Sequence, residues 1–137
     1  MTYRAVIGAA LLALSSLGTS ASAAETVYDC TASYRSPNGF IGPRVVFFID
    51  EGLGTVRILD NMIQSVKGGP IRGEISSSSG TTDRLAWRVT DVRTTQGVYN
   101  IRYKATLNRK SGTYQMRAVG FNHRWRPKGE GSCTVSR

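Results

Sequence analysis

Apolar and polar residues alternate along much of the second half of the chain. The alternation is clearest in residues 85–90, 98–107 and 113–119, where one phase is aromatic or aliphatic and the other is polar or cationic. A period of two is typical of an antiparallel strand with one buried and one solvated face. These three segments are therefore predicted strands, and residues 108–112 predict a hairpin turn between the last two.

The rest of the chain also favours strands separated by turn residues. Residues 26–34, 44–50, 55–59, 71–76 and 132–136 are predicted strands, and Gly52 and Gly54 mark a turn. Residues 62–66 fit either a short strand or a helical turn after Asp60 and Asn61. Residues 76–82, rich in serine, are predicted to be the most flexible connection.

About eight short strands predict an all-β fold, namely a small antiparallel barrel. An open barrel and a two-sheet β-sandwich, the runner-up, remain alternatives. The closed barrel is favoured because it places the first and last strands side by side. That arrangement would let Cys30 and Cys133 form a disulfide, which requires Cα atoms within about 7 Å of each other.

The first 24 residues have the composition of an export signal. Arg4 precedes an apolar stretch over residues 5–17, and Ala21-Ser22-Ala23 follows as a cleavage site. The stretch is shorter than the roughly 20 apolar residues of a spanning helix. We therefore expect a signal peptide over residues 1–24, a single domain over residues 25–137 without a transmembrane span, and a location in the bacterial periplasm or medium. In such an oxidising compartment an even pair of cysteines favours a disulfide.

The two ends of the predicted domain carry short motifs, Tyr28-x-Cys30 and Gly129-x-Gly131-x-Cys133. In these motifs the chain resembles a group of small exported bacterial β-proteins of unknown function that have a cysteine near each end. That resemblance implies a small periplasmic β-fold and no particular activity. The Tyr-x-Cys opening is also similar to that of periplasmic lysozyme inhibitors, which are small barrels. The second resemblance implies an inhibitor acting through a loop rich in serine and glycine. Residues 76–80 are serine-rich but do not match that loop, and a basic chain would be repelled by lysozymes, which are usually basic.

Charge adds a candidate function to this fold. The chain has 18 Lys and Arg against 9 Asp and Glu, a formal net charge of +9, and arginine predominates. Such a balance favours anionic partners, and arginine binds phosphate, sulfate and carboxylate with two parallel hydrogen bonds. Several cations occupy the polar phase of their strands, and others lie beside an aromatic residue before the last strand. The candidate anion-binding residues are Arg88, Arg102, Lys104, Arg117, Arg124, Trp125 and Arg126.

The sequence argues against catalysis. His123 is the only histidine, so a zinc site built from several histidines is excluded within one chain. The chain contains no G-x-S-x-G, phosphate-binding glycine loop or H-E-x-x-H pattern. We therefore expect no enzyme activity, no metal and no cofactor. No specific nucleic-acid motif is present either.

Together these observations predict an exported, non-catalytic envelope protein that binds an anionic partner, such as an envelope polymer or a lipid headgroup, through a basic and aromatic surface. A solvated outer face without a partner is the alternative explanation of the charges. The inward-phase aromatic residues, including Trp87, Tyr103 and Tyr114, leave open a carrier of a small apolar ligand inside the barrel. A periplasmic protein inhibitor is the third possibility, and the oligomeric state is open.

Overall fold

The computed structural model describes residues 25–37, 39–119 and 126–137. The predicted signal peptide, residues 1–24, lies outside this range. Within it the chain forms eight strands and one helix: β1 (Thr26–Arg35), β2 (Arg44–Asp50), β3 (Thr55–Asp60), α1 (Asn61–Lys67), β4 (Ile71–Ser79), β5 (Thr82–Thr94), β6 (Gly97–Asn108), β7 (Thr113–Val119) and β8 (Lys128–Ser136). The described part includes no helix with the length and hydrophobicity needed to span a membrane.

The eight strands form one closed antiparallel barrel. Each strand pairs with the next along the chain, and β8 pairs with β1 to complete the circle. The predicted barrel is thereby confirmed, and the β-sandwich alternative is wrong because a single sheet closes on itself. The longest ladder joins β5 and β6, which pair from Thr82 opposite Asn108 to Thr94 opposite Gly97.

The seam between β1 and β8 is fixed by a disulfide and by close backbone contact. Cys30 lies directly opposite Cys133, and their sulfurs are bonded at 2.06 Å across 103 residues of sequence. A Cβ atom on Gly131 would overlap the backbone of Thr31, so glycine lets the two strands approach here. The predicted disulfide is confirmed, and it is compatible with an oxidising compartment outside the cytoplasm.

Aromatic side chains fill the middle of the barrel. Trp87 stacks on Tyr103 with ring centroids 5.4 Å apart and planes 10° apart. Phe47 meets Trp87 edge-on at 5.7 Å and Tyr114 edge-on at 6.4 Å. All four rings are buried, as the inward phase of their strands predicts. An eight-stranded barrel has room for such side chains or for one small ligand, and here the side chains occupy the interior.

Helix α1 covers one end of the barrel. Asp60 caps it, since its carboxylate accepts a hydrogen bond from the Ile63 amide at 2.8 Å, and Gly68 ends it in the left-handed conformation at φ 77°. Ile63 is fully buried. Of the two possibilities for residues 62–66, the helical one is therefore correct, because a capping residue stands at each end. Burial raises the pKa of the Asp60 carboxyl above its ordinary value.

The prediction of a flexible connection over residues 76–82 is wrong. Strand β4 continues to Ser79, β5 begins at Thr82, and residues 77–79 pair with residues 82–84 in a tight hairpin. The serine side chains support this ladder: Ser76 donates to the Arg84 carbonyl at 3.1 Å. Serine is short enough to bond locally to backbone, so a serine-rich segment can extend a hairpin as well as a loop.

Candidate functional site

Strands β5 and β6 bring two of the predicted cations face to face. Arg88 on β5 lies directly opposite Arg102 on β6. Both side chains are exposed, because each sits between buried residues in the alternating pattern of its strand. Sequence periodicity predicted this outward orientation, and the pairing of the strands makes the two arginines neighbours.

A second row of cations crosses β6, β7 and β8. Lys104 on β6 lies opposite Arg117 on β7, and Arg117 lies opposite Lys128 on β8. All three are exposed. Lys104 follows Arg102 by two residues on the same face of β6, so the two rows join there. We call these five residues the basic face: Arg88, Arg102, Lys104, Arg117 and Lys128.

The basic face is not neutralised by the chain around it. None of its five side chains forms a salt bridge with any residue that the structure describes. Glu74, on β4, is separated from Lys104 by Ala86, and Glu130, on β8, lies opposite Gln115 in the neighbouring row. Like charges directly opposite each other destabilise a sheet by a few tenths to about 1 kcal/mol. The direct oppositions therefore have a cost, and the nearest carboxylate on the same face, Glu130, is two residues from Lys128 and forms no salt bridge with it.

Lys128 was not among the sequence candidates for this surface. It stands at the start of β8, where Gly129, Gly131 and Cys133 take the inward or partly buried positions. Tracing that alternation backwards from Cys133 would have placed Lys128 on the outer face. What the alternation alone does not reveal is that β8 follows β7 in the sheet and aligns Lys128 with Arg117.

The predicted surface also included three residues before β8: Arg124, Trp125 and Arg126. Arg126 is described and exposed, two residues before Lys128. Arg124 and Trp125 lie outside the described residues. The candidate site is therefore defined by the basic face, with Arg126 at its border.

These side chains have the chemistry of an anion-binding surface. Arginine offers five donors in a planar fork that matches phosphate, sulfate and carboxylate, and lysine adds a compact charge. The positions directly opposite on adjacent strands are about 5 Å apart, and those two residues apart on one strand are about 7 Å apart. Several negative groups of one partner can therefore be contacted together.

Arginines on the opposite side of the barrel have a different environment. Arg44 binds Asp29 with two hydrogen bonds of 2.7 and 2.6 Å, and this hydrogen bonding holds the pKa of the Asp29 carboxyl below its ordinary value. Arg57 pairs with Glu25 at 2.8 Å and lies over the Phe48 ring at 4.9 Å. These arginines have their anionic partners within the chain.

A second polar cluster lies in a cleft of about 300 Å³ at the barrel end away from α1. Asp83 is buried there, accepts a hydrogen bond from Ser78 at 2.5 Å and lies 3.3 Å from Arg109. Arg109 also donates to the Gly80 carbonyl at 2.5 Å and lies 3.9 Å from Glu51. Because groups of the chain itself surround this guanidinium, the cluster ties hairpin ends together rather than presenting a cation to a ligand.

Sequence reasoning missed this cluster, although a signal for it was present. Asp83 occupies the inward phase of β5, two residues before the buried Leu85. A buried carboxylate requires a polar or cationic partner. The alternation of residues within β5 does not show which residue that partner is. Tyr28 lies close enough to this cluster to be affected by it. Burial, and then the negative charges of Glu51 and Asp83, raise the pKa of the Tyr28 hydroxyl.

Three buried groups have no hydrogen-bond partner in the described part of the chain: Trp87 Nε1, Tyr114 Oη and Arg109 Nε, the last of which lies 3.3 Å from the Asp83 carboxylate as an ion pair only. That part also contains no group of three or more His, Cys, Asp or Glu side chains arranged to hold a metal ion. The basic face therefore remains the surface with the clearest chemical character.

Comparison with known proteins adds no further assignment. No protein-family model, no curated protein and no solved structure matches this chain. The resemblances to small exported bacterial β-proteins and to periplasmic lysozyme inhibitors stay predictions from short motifs.

Proposed function

We propose that this protein is an exported, non-catalytic binding protein that holds an anionic partner on its basic face. One observation carries the proposal: Arg88 faces Arg102, and Arg117 stands between Lys104 and Lys128, and none of the five forms a salt bridge with a described carboxylate. Like charges in directly opposed positions oppose folding. A use outside the fold explains why they are grouped.

The partner's chemistry follows from the donors. A surface of arginine and lysine side chains matches phosphate, sulfate or carboxylate groups. Without the predicted signal peptide, which contains Arg4, 17 Lys and Arg stand against 9 Asp and Glu, and a net charge of +8 attracts such groups from a distance. The predicted signal peptide and the disulfide support a location in the bacterial periplasm or medium, where an anionic component of the envelope is the accessible partner.

The two alternative functions receive less support. A carrier of an apolar ligand needs internal space, whereas the rings of Phe47, Trp87, Tyr103 and Tyr114 pack against one another inside the barrel. An inhibitor of the lysozyme type would need a protruding loop, whereas the serine-rich residues 76–79 belong to the paired strand β4.

The experiment compares two variants that lose the same charge from different places. Lys104→Gln/Arg117→Gln removes the centre of the basic face. Arg72→Gln/Lys110→Gln removes two exposed cations from β4 and the β6–β7 turn. Affinity for heparin and for phosphocellulose is measured over a salt series. We expect the first variant to lose roughly three- to thirtyfold in affinity at low salt, the range for two exposed ion pairs, and the loss to shrink as salt screens the charges.

The control variant separates a specific surface from net charge. The proposal holds if Arg72→Gln/Lys110→Gln binds nearly as well as the unmodified protein. Equal losses in both variants would show that only total charge matters and would overturn the proposal.

A further inference from the structure

The basic face curves around the barrel. Its five cations lie on four successive strands, from Arg88 on β5 to Lys128 on β8. Because the strands of an eight-stranded barrel are tilted by about 35–45° to its axis, each step to a cross-strand neighbour turns the surface by roughly 30°, so these two side chains point in directions on the order of 90° apart. Such curvature restricts the shape of a partner that can reach all of them.

A flat layer of lipid headgroups meets such a surface only along one line. The end charges stand behind a plane that touches the middle of the face, whereas a flexible chain can contact all five cations at the same distance. Membrane docking also favours a cluster of exposed apolar side chains beside the cations. Within the described ranges the exposed large hydrophobic residues are dispersed over separate strands and turns: Tyr34, Leu53, Val98 and Val135.

A flexible chain can follow the curve. Arg88, Arg102, Lys104, Arg117 and Lys128 form a continuous path in which each member is the cross-strand or same-face neighbour of the next. The steps of this path are about 5 to 7 Å at the backbone. On the β4 side the path of cations ends, because the residue opposite Ala86 there is a carboxylate, Glu74. A negatively charged chain would therefore run from β5 towards β8.

We propose that the partner of the basic face is a flexible linear polyanion that wraps across β5 to β8, contacting Arg88 near one end and Lys128 near the other. This inference rests on the proposed function and adds the shape of the ligand to it. Three inter-strand steps of about 4.8 Å each set a minimum span of roughly 15 Å for a fully engaged chain.

The test uses size-fractionated heparin oligosaccharides, from disaccharide to decasaccharide, and vesicles of equal parts phosphatidylglycerol and phosphatidylcholine. For the unmodified protein we expect affinity to rise with oligosaccharide length until the chain spans the face, and then to level off. Arg88→Gln and Lys128→Gln should each weaken binding of long oligosaccharides by roughly two- to fivefold, since each removes one exposed contact. Neither variant should weaken disaccharide binding by as much, because a short ligand can bind to the cations that remain.

The outcomes separate this inference from the function beneath it. Tighter binding to vesicles than to long oligosaccharides, or affinity independent of length, would overturn the wrapped chain. If Lys104→Gln/Arg117→Gln still lost affinity in that case, anion binding by the basic face would stand. If neither this double variant nor the two single variants changed binding to any of the probes, the proposed function itself would fail.

Discussion

Arginines on two sides of the same barrel differ in whether a carboxylate of the chain pairs with them. On the β1–β3 side, Arg44 binds Asp29 at 2.6 Å and Arg57 binds Glu25 at 2.8 Å. On the β5–β8 side, Arg88 faces Arg102, and Arg117 stands between two lysines. Both sides belong to one closed antiparallel sheet, so strand geometry does not cause the difference. Register does not cause it either, because Arg44 lies opposite Thr31 and Arg57 lies opposite Arg72. The difference is that Asp29 and Glu25 lie within reach of Arg44 and Arg57, whereas no salt bridge joins the basic face to a described carboxylate.

The difference shows what each side contributes. Exposed ion pairs on the first side add little stability, commonly below about 1 kcal/mol each, but they leave few free charges there. The basic face costs stability and concentrates free cations on one part of the surface. We propose that the first side keeps its arginines paired within the chain, whereas the second serves recognition.

The largest effect is expected at the seam where the two sides meet. Replacing both cysteines, Cys30→Ala/Cys133→Ala, removes the link between β1 and β8. The loop of 103 residues that the bridge closes corresponds to about 4–5 kcal/mol of unfolding free energy in the chain-entropy model. Urea unfolding of the variant and of the unmodified protein, without reductant, measures the loss.

Reduction of the unmodified protein provides the control for this variant. It should lower the unfolding free energy by a similar amount and leave the alanine variant unchanged. A loss below about 1 kcal/mol in both cases would show that strand pairing and the close contact at Gly131, rather than the disulfide, hold the two sides together.

Charge reversal should change stability in opposite directions on the two sides. Arg117→Glu places a carboxylate between Lys104 and Lys128, replacing two repulsive pairs by two attractive ones. We expect it to raise the unfolding free energy by about 1 kcal/mol at low salt while weakening polyanion binding. Arg44→Glu places a second carboxylate beside Asp29 and should lower stability.

Denaturant unfolding at low and high salt checks this pair of variants. Both changes should become smaller at high salt, because screening weakens exposed charges. Destabilisation by Arg117→Glu would contradict the view that the basic face carries uncompensated repulsion.

The smallest effects are expected in the pH dependence, where two carboxyls should respond with opposite sign. Arg44 lowers the pKa of Asp29, so the folded state binds its proton less tightly than the unfolded state does. Its contribution is complete above the unfolded pKa, near 3.8, and is lost as pH falls through the lower folded value. Asp29→Asn should therefore reduce the melting temperature at neutral pH and have no such effect in acid.

Burial raises the pKa of Asp60, so the ionised carboxyl opposes folding. Stability is favoured below the unfolded pKa, near 3.8, and declines as pH rises through the higher folded value. Asn also caps helices well, so Asp60→Asn should keep the bond to the Ile63 amide and raise the melting temperature at neutral pH. Melting curves from acid to neutral pH compare the two variants, and a lower neutral melting temperature for Asp60→Asn would contradict this account.

Much of the fold could be predicted because side-chain alternation is a local property. The burial of Trp87, Tyr103 and Tyr114, and the exposure of Arg88 and Arg117, follow from neighbours two residues away in sequence. The extension of β4 to Ser79 was harder to predict, since serine occurs both in turns and in strands. The partner of the buried Asp83 was missed because Arg109 lies beyond the end of the next strand, where it reaches back across the barrel end.

Local alternation predicts which face of most strands is buried, and composition predicts an excess of positive charge on the surface. The closed barrel places Lys128 beside Arg117, brings Arg88 opposite Arg102 and distributes five cations over four strands. The physical reason is that orientation depends on a strand's own period of two. Adjacency depends instead on register and closure, which arise from hydrogen bonds between segments distant in sequence.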